Sequence, residues 1–401
     1  MSATDEQMHV IKSGIADLVP EADLVKKLDR GRPLRVKLGV DPTAPDLHLG
    51  HAVPLRKLRQ FQDLGHTVVL IIGDFTALIG DPSGRNSTRP PLSMEQINTN
   101  AETYICQAFK ILDPAKTELR RNSEWLSALD FEDILRLAGR FTVARILERD
   151  DFAKRYAAGQ GISLHELLYP MAQAYDSVAV QADIELGGTD QLFNLLAGRE
   201  LMEKSGIEPQ VCLTLPLLEG IDGVQKMSKS YGNYVGLTED PAEKFGKIMS
   251  IPDDLIVKYF RLCTTLSVEQ VDTIEADLIS GAAHPNLVKR RLASEIVALY
   301  DSPEAAVAAE VAFDRVFKQH QAPEDVSEFF VEHGNTVHLP TLLKEIGLAS
   351  SSSEARRLID GGGLRLDGKP VAEGTYDIPW SEVDGSVMQA GRRRFARVRA
   401  K

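Results

Sequence analysis

Cysteine is scarce in this 401-residue chain: Cys106, Cys212 and Cys263 stand far apart, without a C-x-x-C spacing or a nearby histidine partner. That argues against a disulfide framework and a zinc knuckle, and leaves buried free thiols as the expectation. Long apolar runs are missing too. No stretch approaches the roughly 18 uninterrupted apolar residues of a membrane helix, and the opening MSATDEQMHVIKSG lacks the basic-then-apolar order of a secretory signal. The expected location is cytoplasmic, with no membrane partner. Internal repeats are absent, and the one low-complexity patch, Ser350 to Ser353, is placed to cap a helix starting near Glu354. Positive charge is in deficit: 46 Lys and Arg face 58 Asp and Glu, a net charge of -12 that by itself argues against a nucleic-acid partner. The deficit is uneven. Val337 to Lys401 carries +3, leaving -15 elsewhere, and Arg392, Arg393, Arg394, Arg397, Arg399 and Lys401 form a basic cluster suited to phosphates.

With 43% hydrophobic and 26% charged residues, the chain has enough material for two or three cored domains. Arg35 to Val40 reads as a short strand. His51 to Leu64 then places Val53, Leu55, Leu58, Phe61 and Leu64 at helical spacing, with Gly65 set to end the helix. Thr67 to Gly73 is a continuous apolar run, as in a strand covered on both faces. A strand, helix, strand unit implies an α/β domain with a parallel sheet. A mostly helical insertion is expected at about 93–180, after which Ile184 to Thr189 and Val211 to Leu218 return to strand character. The sheet domain thus spans 1–232. Beyond Gly232, Pro241 to Met249, Pro285 to Tyr300 and Pro303 to Phe317 read as amphipathic helices of a second, α-helical domain over 233–325. A charged linker, His320 to Thr336, precedes a small α+β module over 337–401.

The sharpest pattern is Gly39-Val-Asp-Pro-Thr-Ala-Pro-Asp-Leu-His-Leu-Gly-His51, where a strand hands over to a helix. Histidines three apart on a first helical turn point at whatever binds the positive end of the helix dipole, and a triphosphate is the natural guest. Gly50 between them lets a flat nucleobase approach the backbone. Taken alone, the motif also fits a plain helix start or a pair of zinc ligands. Lys226-Met-Ser-Lys-Ser230 is the second pattern: lysines at i and i+3 in a Gly- and Ser-rich loop can surround a developing pyrophosphate, unless the loop is merely solvated. Third, Tyr169, Gln173 and Asp176 fall at i, i+4 and i+7 among Leu167, Leu168, Met171, Ala172 and Ala174, a spacing that suits a polar lining in a dry pocket.

Together, H-x-G-H on the first helix and K-M-S-K-S beyond the last sheet strand resemble the signatures of class I aminoacyl-tRNA synthetases. Tyr169-Pro-Met-Ala-Gln-Ala-Tyr-Asp176, Gly187-Gly-Thr-Asp-Gln191 and Gly80-Asp-Pro-Ser-Gly84 are similar to the tyrosine-pocket segments of the tyrosyl-tRNA synthetase family, and the likeness runs from about Val36 to Val235. The tryptophan enzymes are not similar in the Gln-Ala-Tyr-Asp segment. The resemblance implies a Rossmann-like catalytic domain, a helical anticodon-binding domain and an S4-like RNA-binding module. It implies L-tyrosine, ATP with Mg²⁺ riding on the phosphates, tRNA(Tyr) and a homodimer, and it calls for no structural metal. By the same resemblance Asp176 accepts the phenolic O–H, Asp81, Tyr169 and Gln173 hold the ammonium group, and Gly39 and Gln191 complete the tyrosine set. Asp190 grips the ATP ribose, Gly50 underlies the nucleotide, and Asp41 lies near the reacting centre. Thr43, His48, His51, Lys226 and Lys229 stabilise the transferring phosphates.

Two positions depart from the common pattern of that family: Lys37 stands where many members carry tyrosine, and Glu185 where they carry glutamine. A buried charge is tolerated mainly when paired, so the two are expected to meet. Leu339 to Val371 resembles the S4 RNA-binding module, which implies that Arg356 and Arg357 meet RNA phosphates, with the long variable arm of the tRNA as ligand. A small-molecule nucleotidyltransferase would need neither the helical domain nor the RNA module. A non-catalytic RNA-binding relative would be expected to lose the paired histidines and lysines.

Overall fold

A computed structural model describes residues 2–82, 92–317, 326–332, 334–391 and 394–401. Ser83 and Gly84 of the Gly-x-Pro turn, the first part of the expected linker, and Arg392 and Arg393 lie outside the described residues. The chain forms two compact units, one of Met1–Asp240 with Lys247–Tyr300 and one of Pro241–Gly246 with Asp301–Lys401.

The first unit holds a six-stranded sheet. Its strands are β1 (Asp17–Val19), β2 (Arg35–Val40), β3 (Thr67–Ile72), β4 (Thr117–Arg121), β5 (Ile184–Gly188) and β6 (Val211–Leu215). Their spatial order is β1-β6-β5-β2-β3-β4, all parallel except β1, which runs antiparallel to β6. The chain leaves β2 for β3 on one side and reaches β5 on the other, so the sheet changes direction between β2 and β5. A crevice opens there, beyond the carboxyl ends of the strands, and in doubly wound sheets that is where ligands bind. Val68 to Ile72 of β3 are fully buried, as a strand covered on both faces requires. Each such side chain contributes on the order of 1.5–3 kcal/mol.

Three helices frame the crevice: α1 (Leu49–Asp63), α2 (Tyr169–Val180) and α3 (Leu192–Lys204). α1 buries Val53, Leu55, Leu58 and Phe61 at the expected spacing, and Gly65 follows its end at a φ of +89°, which a side chain would resist. The segment at 93–180 is not helical throughout. It contributes β4 to the sheet edge, where Thr-Glu-Leu-Arg-Arg pairs in register with β3. An edge strand facing solvent lacks the apolar run that marks β3, which hid it from a pattern reading. Asp17–Val19 of β1 is similarly too short to register.

The three expected helices form as Pro241–Met249, Pro285–Tyr300 and Pro303–Phe317. The chain clusters into two units rather than three, because residues 247–300 belong to the unit that contains the sheet. Ile256, Tyr259, Phe260 and Cys263 of the helix Ile256–Cys263 are fully buried, and the Tyr259 hydroxyl donates to the Glu219 carbonyl at 2.7 Å.

In the second unit the strands are β7 (Glu328–Val331), β8 (Thr336–His338), β9 (Leu364–Leu366), β10 (Lys369–Pro370), β11 (Asp377–Pro379), β12 (Val387–Ala390) and β13 (Arg394–Ala400). Five form a sheet in the order β10-β9-β12-β13-β7, and β8 pairs with β11. Helix α4 (Ser352–Asp360) is capped by Ser351, whose hydroxyl accepts the Glu354 amide. Leu339, Leu343, Ala355, Ile359, Val383 and Met388 form a dry core of their own.

Candidate active site

A cavity of about 690 Å³ opens at the crevice, and the cavity-site residues expected from the sequence line it. The end of β2 and the following loop supply Gly39, Asp41 and Thr43; the start of α1 supplies His48, Gly50 and His51. α2 supplies Tyr169, Gln173 and Asp176 from one face, the turn after β5 supplies Asp190 and Gln191, and Lys226 and Lys229 come from the later loop; Asp81 joins them. Arg356 and Arg357 lie elsewhere, exposed on α4 in the second unit.

One end of the cavity presents a buried hydrogen-bond acceptor. Asp176 accepts the Trp125 indole N–H at 2.8 Å and the Asn122 amide at 3.3 Å. Trp125 packs on Val69, Ile71, Val180 and Ala182, so its donor is fixed. Burial pushes the Asp176 carboxyl up to about 6, against the pull of Lys37 and of the two hydrogen bonds. Asn122 and Trp125 were not legible as site residues: they follow β4, the strand the pattern concealed.

Asp41 lies nearby. Its carboxylate accepts the Thr76 hydroxyl at 2.7 Å and the Tyr169 hydroxyl at 3.0 Å. Burial is the main cause that raises it to about 7, with Asp81 and Asp176 adding repulsion. Gly73 makes room beside it: a Cβ there would fall 2.1 Å from Asp41 Oδ1 and would displace that carboxylate. Asp81 accepts the Gln191 amide at 2.9 Å.

The other end gathers the start of α1 and two lysines. His48 is the N-cap of α1 and His51 its third residue, with ring centroids 3.8 Å apart. Burial lowers His48 to about 2 and His51 to about 4, each helped by Lys229, so both rings are neutral at pH 7. The His48 main-chain N–H donates to His51 Nδ1 at 3.3 Å, which leaves the proton of that ring on Nε2. A Cβ at Gly50 would sit 3.0 Å from the His48 ring, so glycine lets the two stacked histidines keep their positions. Opposite, Lys229 pairs with Asp46 at 2.8 Å and Lys226 approaches Asp190 at 3.5 Å. A buried asparagine braces this loop. Asn233 accepts the Ser228 amide at 2.8 Å and donates to Asp222 at 2.8 Å and to the Gln225 and Lys226 carbonyls at 3.3 Å.

Lys37 and Glu185 do meet. They are register partners of β2 and β5, 2.7 Å apart, with side chains 0% and 1% exposed.

In the second unit Arg356 stacks over Tyr376 with its guanidinium 5.7 Å from the ring centre. Much of the described basic cluster is already paired, Arg394 with Glu354 and Arg399 with Glu328. Among the described residues no group of three or more His, Cys, Asp or Glu side chains is arranged to hold a metal ion, and no helix is long and apolar enough to cross a membrane.

Comparison with known proteins agrees with this geometry. The family model of class I tRNA synthetases (W and Y) matches residues 29–318, and the S4 domain model matches 338–376. The tyrosine–tRNA ligase of Moorella thermoacetica is 52% identical over 396 residues, 98% of this chain and 95% of that protein. Tyrosine–tRNA ligase 2 of Vibrio parahaemolyticus is 51% identical over the full length of both. Among solved structures, the Archaeoglobus fulgidus tyrosyl-tRNA synthetase complexed with L-tyrosine has a TM-score of 0.64 at 23% identity, covering 76% of this chain and 99% of that one, which speaks to the fold alone.

Proposed function

We propose, from the premise that this chain belongs to the class I tRNA synthetases of the W and Y family, that its cavity activates L-tyrosine with ATP and passes the tyrosyl group to tRNA(Tyr). The protein is a tyrosine–tRNA ligase. The observation that carries the choice of amino acid is the Asp176 carboxylate, held by Trp125 and Asn122 in the cavity wall. A phenol donates to such an acceptor, whereas a phenyl ring would leave its cavity side without a donor in a dry place.

In the first step the tyrosine carboxylate attacks the α-phosphorus of ATP and pyrophosphate leaves. A ribose hydroxyl at the tRNA 3′ end then attacks the adenylate carbonyl and AMP leaves. No covalent enzyme intermediate is required. Tyr169, Gln173 and Asp81 take the substrate ammonium, Gly39 and Gln191 complete its surroundings, and Asp190 takes the ATP ribose. Thr43 and the neutral His48 and His51 line the phosphate path beside the positive end of α1. Lys226 and Lys229 exchange their carboxylate partners for the departing pyrophosphate, so their charge counts most as negative charge develops. Magnesium arrives with the triphosphate as part of the substrate.

Arg356 and Arg357 present two exposed cations to tRNA phosphates, and the helices after residue 233 face the anticodon arm. The partner in a homodimer covers Phe131, Leu135, Val143, Tyr156 and Leu164, apolar side chains that are 57–78% exposed in the single chain. ATP–pyrophosphate exchange with each amino acid in turn tests the activity without tRNA. Exchange with tyrosine alone is expected; exchange with tryptophan instead would overturn the pocket assignment, and no exchange would overturn the enzyme. Sedimentation of Leu164→Asp tests the dimer, with a halved mass expected and an unchanged mass against it.

A further inference from the structure

The Lys37–Glu185 pair reaches the substrate pocket through one side chain. Lys37 Nζ donates to Glu185 Oε1 at 2.7 Å, to Ser177 Oγ at 2.8 Å and to the main-chain carbonyl of Gln173 at 3.3 Å. Glu185 Oε1 also accepts Gln173 Nε2 at 3.2 Å, while Oε2 takes the Ser177 hydroxyl at 2.9 Å and the Gln210 amide. A carboxylate accepts and has no proton to give, so it holds only the NH₂ end of the Gln173 carboxamide. Gln173 lines the cavity, and among the described residues nothing donates to its Oε1. That oxygen is the end left for a ligand.

We propose that Lys37 and Glu185 are positioning residues for the amino end of the substrate: Glu185 fixes which way round the Gln173 carboxamide sits, so that Oε1 meets the α-ammonium group, and Lys37 supplies the countercharge that lets a carboxylate occupy a dry site. The inference rests on the reading of Gln173 as an ammonium ligand. With no acceptor at 185, the amide turns end for end, and half of its orientations aim N–H bonds at a cation.

The test uses the full-length enzyme, the paired change Lys37→Met with Glu185→Met, which leaves no lone charge, and Gln173→Met. Tyrosine KM and kcat are read by ATP–pyrophosphate exchange, alongside inhibition by 3-(4-hydroxyphenyl)propionate, which keeps the phenol and carboxylate but lacks the amine. The paired change should raise tyrosine KM roughly tenfold, the size of a lost hydrogen bond to a charged group, with kcat and the inhibition constant of the analogue moving less than about twofold. Once Gln173 is Met, adding the paired change should alter the tyrosine-to-analogue ratio no further. Parallel weakening of tyrosine and analogue would mean the pair only holds α2 in place, and the proposal fails. If Gln173→Met alone leaves the ratio intact, the assignment of Gln173 is wrong and the proposal falls with it. If Gln173→Met raises the ratio of tyrosine KM to analogue inhibition constant and the paired change does not, only the positioning role is lost. Should the paired variant not fold, a crystal structure of the unaltered enzyme with L-tyrosine decides. An ammonium nitrogen within about 3.2 Å of Gln173 Oε1, with Nε2 still on Glu185, supports the proposal, and a Gln173 turned away from Glu185 overturns it.

Discussion

Asp41→Asn should make the empty enzyme more stable at pH 8. Burial, aided by Asp81 and Asp176, raises the carboxyl to about 7 in the fold from an ordinary value of 3.8. The folded state therefore holds the proton more tightly than the unfolded chain. The stability this contributes is complete below about pH 4 and lost as pH rises through about 7. The gap between those values corresponds to roughly 4 kcal/mol. One side of Asp41 lines the cavity, so about half of that, ~2 kcal/mol, is expected in practice. Asparagine preserves the contacts to Thr76 and Tyr169 in shape and carries no charge. For a unit of this size 1 kcal/mol moves the midpoint by roughly 1.5–2 °C, so the variant should melt about 3 °C higher at pH 8, with the gap closing toward pH 4. Scanning calorimetry of both proteins without ligands, from pH 4 to 8, measures it. A variant that melts lower at pH 8, or a gap that widens as the pH falls, would refute the reasoning.

Three further outcomes follow from the site. Lys229→Ala should lower the turnover of pyrophosphate exchange by roughly 10²–10³-fold while equilibrium tyrosine binding changes only a few-fold; lost affinity with intact turnover would contradict its role. Trp125→Phe removes the donor 2.8 Å from Asp176, so the carboxyl, already near 6, moves higher. Tyrosine KM should then rise more at pH 6 than at pH 8, and a pH-independent rise would count against that account. Asn233→Ala takes away the brace under the lysine loop. Exchange kinetics should show a fall in kcat on the order of tenfold at nearly constant tyrosine KM; a KM effect of equal size would place Asn233 elsewhere in the mechanism.

The parts of the fold that were legible in the sequence are those whose burial is lopsided or complete. β3 shows itself because both faces are covered, and α1 because its buried side chains recur at helical spacing and Gly65 ends it. β4 stayed hidden because a solvent-facing edge is charged, and with it went Asn122 and Trp125, which set the state of Asp176. The residues that line the cavity were readable because two short motifs and one helical face carry polar types at fixed spacing. Their supports were not, since Asp46, Thr76 and Asn233 act through distances that the fold alone creates. Lys37 and Glu185 lie between these cases: two departures from the family pattern, one a cation and one an anion, signalled a pair, and the register of β2 with β5 supplied it.

That register has a historical side. A lineage that replaced Lys37 and Glu185 one at a time would pass through a protein with a single uncompensated charge beneath its substrate helix, a state that costs about 3–5 kcal/mol out of a typical total of 5–15. On that cost the two positions are expected to change together, with a valley rather than a slope between this pair and a chain carrying tyrosine and glutamine there. Anyone transplanting this amino acid pocket into another synthetase must move both residues in the same step.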